Sequence, residues 1–194
     1  MLREKLKHTR LILASGSPRR QQFFRELDVD FEIRLKEVEE IFPPKLAAEE
    51  ITNYLAVLKA NAFEGELVEG DLLVTSDTIV WHKGNCLGKP KSKEDAVAMI
   101  TSLSGSTHEV ITSICFKTVD YTEVVFEKTK VTFESLNKEA IDYYVEEYKP
   151  FDKAGSYAIQ EWIGSVGISK IEGSYTNVVG MPMHLVYRKL MQLK

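Results

Sequence analysis

The sequence predicts an α/β protein built on a mixed, twisted β-sheet with flanking helices. Three observations carry that reading. Short apolar runs alternate with helical stripes over the first third of the chain. Two stretches rich in β-branched residues adjoin in the middle, and one more helical stripe closes the sequence. Of the 194 residues, 44% are hydrophobic, ample for a core that offsets chain entropy and in keeping with one large domain or two small lobes.

Each element follows from its pattern. Arg10 to Ser15 is a continuous apolar run ending in Ser-Gly-Ser-Pro and reads as a buried strand. Pro18 suits the first turn of a helix with Ser17 as N-cap and Phe23, Phe24 and Leu27 as its apolar stripe. A second strand is expected at Phe31 to Leu35. From Ala47 to about Glu64, apolar residues recur at Ala47, Ile51, Tyr54, Leu55, Leu58 and Ala62, a helical period. Leu72 to Trp81 reads as a long buried strand, returning through a hairpin tip at Lys83-Gly84-Asn85 into Cys86-Leu87. Ser92 with Asp95 forms a capping box for a helix whose face is Ala96, Ile100 and Leu103. Thr107 to Val119 and Glu123 to Phe133 read as strands meeting at Asp120-Tyr121. A helix is expected over Lys138 to Tyr148, then a turn-rich stretch, then a last helix from about Pro182.

Composition excludes several classes of function. The chain carries 25 Lys and Arg against 29 Asp and Glu, a net charge of -4, which argues against a protein that coats duplex nucleic acid. A small anionic ligand stays open, since a few placed cations hold one. Cys86 and Cys115 are too few for a disulfide framework, lack metal-site spacing and are expected as buried, reduced thiols. No run approaches the roughly eighteen apolar residues that span a bilayer. The basic N-terminus has only a short apolar run, Leu11 to Ala14, and reads as the first strand rather than a signal peptide. A cytoplasmic, soluble protein is expected.

Four clusters can carry chemistry. In Ser15-Gly16-Ser17-Pro18-Arg19-Arg20, a strand feeds a helix through small residues, presenting backbone N–H groups, a positive helix end and two guanidinium forks to an anion. A capped surface helix with solvated arginines fits the same residues equally well, and the spacing is not that of a Walker loop. In Thr75-Ser76-Asp77-Thr78, a carboxylate interrupts an apolar strand, where an unpartnered one would cost several kcal/mol; a metal, cation or backbone donor is its expected partner. Gly88-Lys89-Pro90 follows the hairpin, and Lys59 lies one helical turn beyond Leu55, at the border of a buried face. Singly, each lysine reads as a surface charge, and Glu39-Glu40 as a solvated loop unless the fold brings it near Asp77. Asp152 to Gln160 could line a pocket with the Gln160 amide reading a base edge; composition alone favours a tight turn entering a strand. His8, His82, His108 and His184 have no spacing that suggests zinc or a His-assisted nucleophile, and no G-x-S-x-G elbow is present.

Taken in order, these clusters resemble the Maf family of nucleoside triphosphate pyrophosphatases. The resemblance rests on Leu13-Ala14-Ser15-Gly16-Ser17-Pro18-Arg19-Arg20, Val38-Glu39-Glu40, Lys59-Ala60, Ser76-Asp77-Thr78 and Gly88-Lys89-Pro90. It continues through Leu103-Ser104-Gly105, His108, Asp152-Lys153-Ala154-Gly155, Tyr157-Ala158-Ile159-Gln160, Gly173-Ser174-Tyr175 and Val179-Gly180-Met181-Pro182. It runs from about residue 11 to 190, nearly the whole chain.

The resemblance implies a single domain over residues 1–194 with two lobes around a central cleft, as in the inosine-triphosphate pyrophosphatases. It implies hydrolysis of a nucleoside triphosphate to the monophosphate and pyrophosphate with a divalent cation, Mg²⁺ or Mn²⁺. By the same carry-over Asp77 takes the proton of the attacking water, Glu40 is the second essential carboxylate, and Lys59 and Lys89 are the active-site lysines. Ser15, Arg20 and Lys153 fall in its substrate-binding motifs. Arg19, Thr78 and Gln160 fall on the specificity positions, in the combination of the branch acting on dTTP and UTP. Ser156 and Met181 replace residues that are commonly Ala and Leu, and Trp162 stands close to Gln160.

The residue types agree with that chemistry. A metal held by Asp77 or Glu40 lowers the pKa of a bound water and polarises phosphoryl oxygens, while Arg19, Arg20, Lys59 and Lys89 hold the phosphate chain. The sequence leaves open whether Asp77 binds metal, takes the proton, or both. The expected role is to keep noncanonical or surplus nucleotides out of nucleic acid, with a link to cell-division arrest. The expected partner is the nucleotide alone, with no membrane or duplex nucleic acid, and a homodimer is compatible. Two alternatives remain: a pyrophosphatase preferring modified or purine nucleotides, and a nucleotide-sensing septation inhibitor that binds a partner without turnover.

Overall fold

The computed structural model describes residues 1–193. Its strands are β1 (Arg10–Leu13), β2 (Glu32–Ile33), β3 (Asp71–His82), β4 (Asn85–Leu87), β5 (Thr107–Lys117), β6 (Thr122–Phe133) and β7 (Ile168–Glu172). They form one mixed sheet in the order β2-β1-β3-β5-β6-β7, with β4 pairing β3 off that path. The pairs β1–β2 and β1–β3 are parallel; β3–β4 and β6–β7 are antiparallel. Parallel neighbours need crossovers, and two helices supply them, α2 (Pro18–Glu26) and α3 (Glu49–Asn61). The remaining helices are α1 (Leu2–Lys5), α4 (Lys93–Leu103), α5 (Lys138–Tyr148), α6 (Trp162–Gly167), α7 (Tyr175–Val179) and α8 (Met183–Gln192).

The chain divides into two compact units. The first comprises Met1–Asp77, Thr112–Glu127 and the chain from Gly180 on; the second comprises Thr78–Ile111 and Lys128–Val179. In the first unit, strand alternation sorts two cores. Leu11 and Leu13, Leu72 and Val74, and Ile114 and Phe116 point to one face, covered by Phe24 of α2, Val186 and Leu190 of α8, and Leu2 of α1. Ile12, Leu73 and Cys115 point to the other, covered by Ala56 and Ala60 of α3 and by Phe63. Register places Leu11 against Leu72, Ile12 against Leu73 and Leu13 against Val74, so a slip of one residue would exchange the two cores.

The second unit packs α4 through Ala96, Ile100 and Leu103 and α5 through Ile141, Tyr144 and Val145, against Val80, Val110, Val131 and Phe133. Both helices start on side-chain caps. Ser92 Oγ accepts from Asp95 N at 3.2 Å, and Asn137 Oδ1 from Ala140 N at 2.9 Å.

From β1 to α5 the predicted elements form in the predicted order, preceded by the four-residue helix α1 that the sequence did not announce, and three further readings differ. Tyr54, expected in the apolar stripe of α3, is 40% exposed. Cys115 is buried as expected, but Cys86 on β4 is only half-buried, because a short strand beside a hairpin tip has little to cover it. Asp152 to Gln160 enters α6 and not a strand: a single 3₁₀ turn at Ala154–Ser156 is followed by a turn and then Trp162. The turn-rich stretch holds α6, β7 and α7, each too short to show a period. No helix among the described residues is long and apolar enough to cross a membrane.

Candidate active site

Strand alternation builds the charged part of the first unit. Leu73, Thr75 and Asp77 share one face of β3, the face that α3 covers. Leu73 packs into the core, and Thr75 Oγ1 donates to the Ala56 carbonyl at 2.6 Å. One helical turn further along α3, Lys59 Nζ donates to Asp77 Oδ1 at 2.6 Å. The same ammonium lies 3.1 Å from Glu40 Oε1, so a single cation joins both carboxylates. The fold thereby brings Glu40 to Asp77, the condition on which its reading as more than a solvated loop residue rested.

The three groups sit in unlike surroundings. Asp77 is 5% exposed, whereas Glu40 comes from an exposed loop without regular structure. Burial raises the affinity of Asp77 for a proton above the ordinary carboxylate value, against the opposing charges of Lys59 and Arg20. Among the described residues no group of three or more His, Cys, Asp or Glu side chains gathers as a metal site. What the chain offers is a pair of carboxylates on a shared lysine.

The strand-to-helix turn forms as the sequence predicts. β1 ends at Leu13, and α2 starts at Pro18 with Ser17 as N-cap, its Oγ accepting from Arg20 N at 3.5 Å. Ser15 is buried; its Oγ accepts from Ser17 N at 3.3 Å, and its carbonyl from Gln21 Nε2 at 3.0 Å. Arg20 turns inward. Its Nη1 donates to the Ser76 carbonyl and its Nε to the Gly180 carbonyl, each at 2.9 Å, so it ties α2 to the strand end that carries Asp77. Burial works against its charge, and Asp77 and Glu40 favour it. Arg19, its neighbour, is half-buried.

Thr78, Lys89, Lys153 and Gln160 belong to the second unit. Thr78 is half-buried on the face of β3 opposite Asp77, and Lys89 is exposed. Gly155 N donates to the Gly88 carbonyl at 3.0 Å, which joins the Gly88-Lys89-Pro90 and Asp152-to-Gly155 motifs. Lys153, though buried, keeps its ammonium 2.7 Å from Asp152 and 3.4 Å from Glu161. Gln160 is exposed at the end of the buried run Gly155 to Ile159. Trp162 lies edge-on against Tyr143 of α5, ring centroids 5.0 Å apart.

The family model described as Maf-like protein matches residues 10–193 of this chain, both units included. The chain belongs to the Maf-like protein family. Its relatives include a Flavobacterium johnsoniae protein named dTTP/UTP pyrophosphatase, 64% identical over 100% of both chains. Proteins of the same name from Flavobacterium psychrophilum (62% identical over 98% of each chain) and Bacteroides fragilis (46%, over 95% of this chain and 96% of that one) also match. Among solved structures, the Staphylococcus aureus Ham1 protein matches with a TM-score of 0.55 at 16% identity, over 96% of this chain and 100% of that one. At that identity the likeness is one of fold.

Two groups of this Maf-like chain escaped the sequence reading. His82 and His108 lie with ring centroids 6.4 Å apart, and His108 Nε2 is 2.7 Å from the Tyr157 hydroxyl. Tyr144 and Glu161 share a short hydrogen bond beside Gln160. Histidine spacing carries no trace of the first, since the contact joins residues far apart in sequence. The second had one signal: a carboxylate directly after Gln160, opposite a helix with Tyr144 in its buried stripe.

Proposed function

We propose that this chain is a nucleoside triphosphate pyrophosphatase, hydrolysing dTTP and UTP to the monophosphate and pyrophosphate by attack of water at the α-phosphorus. The observation that carries the reading is Lys59 joined to both Asp77 and Glu40 at the end of an apolar strand. The relatives named dTTP/UTP pyrophosphatase support the reaction class and the nucleotides. The family match across both units supports a single catalytic domain over residues 1–194.

Asp77 takes the proton of the attacking water. Burial makes its conjugate acid more accessible than that of a solvated carboxylate, which favours a base working closer to neutral pH. Lys59 holds the carboxylate in place and moderates that effect. Arg19, Lys89 and Lys153 supply positive charge for the triphosphate and for the charge that develops on the pyrophosphate leaving group. Ser15, with Arg20 tying down its turn, keeps the N-terminal end of α2 open to a phosphate oxygen. Thr78 and Gln160 contact the nucleobase, the Gln160 amide offering a donor and an acceptor to the O4 and N3–H of uracil or thymine.

A buried and an exposed carboxylate fit a hard divalent ion that completes its shell with phosphate oxygens and water, so Asp77 and Glu40 would hold Mg²⁺ or Mn²⁺. Bound there, the ion supplies charge neutralisation at the phosphoryl oxygens and acidifies a coordinated water. The work is that of a cytoplasmic house-cleaning enzyme acting on free nucleotides.

A pyrophosphate-release assay across a nucleotide panel, with Mg²⁺, with Mn²⁺ and with chelator, tests the reading. Release from UTP and dTTP that chelator abolishes is the expected result. Nucleotide binding without release would overturn the enzymatic reading, and a ranking led by purine or modified nucleotides would overturn the substrate assignment.

A further inference from the structure

Gln160 is exposed, yet the chain around it is fixed in place. Tyr157, Ala158 and Ile159, which lead into it, are all buried. The Tyr144 hydroxyl, on the fully buried face of α5, reaches both sides of the glutamine at once. It accepts from Ala158 N at 3.1 Å on the upstream side and donates to Glu161 Oε2 on the downstream side. The turn closes on itself as Glu161 N donates to the Ala158 carbonyl at 3.1 Å, and Gly164 N to the Glu161 carbonyl at 3.0 Å. At Gly164 a β-carbon would stand 1.8 Å from the Ile159 carbonyl oxygen, so main chain packs on main chain there. Upstream, Tyr157 is anchored by its hydroxyl on His108 and by edge-on contact of its ring with Phe133, centroids 5.0 Å apart.

We propose that Tyr144 is the positioning residue for Gln160: one phenol closes both flanks of the turn that presents the amide, and this clamp sets the preference among nucleobases. The inference rests on the reading above, in which Gln160 contacts the base. Its physical ground is that a solvent-facing glutamine has several free rotations of its own, so discrimination needs at least its backbone fixed. Two hydrogen bonds at one buried oxygen fix the main-chain donor at 158 and the side-chain acceptor at 161, leaving residue 160 inside a closed span from 158 to 161. Tyr144 is also stacked on Tyr148 of the same helix at a 5.0 Å centroid distance, which holds its ring. Glu161 extends the clamp to Lys153, which lies on the same turn system.

The test uses the intact protein and the ratio of kcat/KM for UTP to that for CTP, which differ at the edge a Gln160 amide reads. Tyr144→Phe keeps the buried ring and removes the hydroxyl. The ratio is expected to fall by between about 10- and 100-fold, with kcat for UTP changed far less. Glu161→Ala is expected to lower the ratio too, and Glu161→Gln, which retains an acceptor for the phenol, to restore it. An unchanged ratio in Tyr144→Phe, even with a lowered Tm, would overturn the proposal and leave Tyr144 a packing residue. Should Tyr144→Phe fail to fold, the Glu161 pair decides on the same ratio. Gln160→Ala separates the two levels: if it leaves the ratio intact, the base-reading role of Gln160 fails, while pyrophosphate release measured on UTP stands apart.

Discussion

The two units solve opposite problems with the same kind of chain. In the first, Asp77 and Lys59 place charge where burial opposes it, on regular elements whose alternation and helical period fix their directions, and an exposed loop brings Glu40 to them. In the second, Tyr144, Glu161, His108 and Tyr157 place polar groups around turns that have no period, and tertiary hydrogen bonds supply the missing order. The charged group holds its geometry at a cost in folding free energy. The turn-bound group gains stability and geometry together. Substitutions in the first unit should therefore separate activity from stability, and those in the second should move both.

The largest effect is expected at Asp77. Asp77→Asn should lower turnover by roughly 100-fold or more, the range of acid–base contributions, measured as pyrophosphate release under saturating metal. Because the folded-state pKa of Asp77 is raised, its ionised form is disfavoured in the native protein. Its contribution to stability is fully present below the ordinary carboxylate pKa and is lost as pH rises through the folded value. The neutral amide escapes that loss. Asp77→Asn should therefore melt no lower than the parent protein at neutral pH and a few degrees higher where the gain reaches about 1 kcal/mol, with the difference closing toward acid pH. A variant that lost activity and several degrees of Tm together would break the contrast between the units.

How much of this was legible in the sequence differs between the units for the same reason. A capped helix announces itself by Ser17 and Pro18, and a carboxylate in the run from Leu72 to Trp81 is conspicuous because its neighbours are apolar. Lys59 could be placed at the border of a buried face from helical period alone, and β3 and α3 then made its partner Asp77 inevitable once they packed. Glu40 could not be placed, since it arrives from a loop, and only the fold sets it beside Lys59. The Tyr144 clamp was illegible except as a core position, for its hydroxyl acts on residues 14 and 17 positions away. Resemblance supplied the candidate role of Lys153, the amide's paired donor and acceptor suggested that of Gln160, and tertiary contacts supply what holds them.

A smaller effect, read here on stability, is expected where the two lysine-bearing motifs of the second unit meet. Gly155 has φ +66, and a β-carbon there would lie 2.7 Å from Val80 Cγ2 and 3.0 Å from Val80 Cβ. Gly155→Ala adds a left-handed strain to a contact that the strand cannot relieve, and should cost about 1–3 kcal/mol. For a chain of this size that is about 2–4 °C of Tm per kcal/mol. Val80→Ala in the same chain removes the two methyl carbons and should return part of the loss. Melting curves of the two single variants and the double variant read the coupling directly. Additive losses would mean that strain at Gly155, and not contact with Val80, sets the cost.

The smallest effect at neutral pH, and the most telling in acid, is expected at His108. Burial, and then the facing His82 ring, push its pKa from 6.5 down to about 3. Its other near neighbours are Phe133 and Tyr157, whose phenol burial keeps protonated throughout that range. Between pH 6.5 and about 3 the unfolded chain binds a proton at this position that the native chain refuses. Stability from His108 is thus present in full above pH 6.5 and drains away as pH falls toward 3. His108→Gln should cost about 1 kcal/mol at pH 7 through the lost contact with Tyr157. The gap in Tm should narrow on acidification and reverse, because the amide has no proton to gain. Denaturant melts of both proteins at several pH values measure the slope. Equal slopes would show that His108 is already charged or hydrated in the native chain, and would leave the Tyr157 anchor without the dry surroundings that make it rigid.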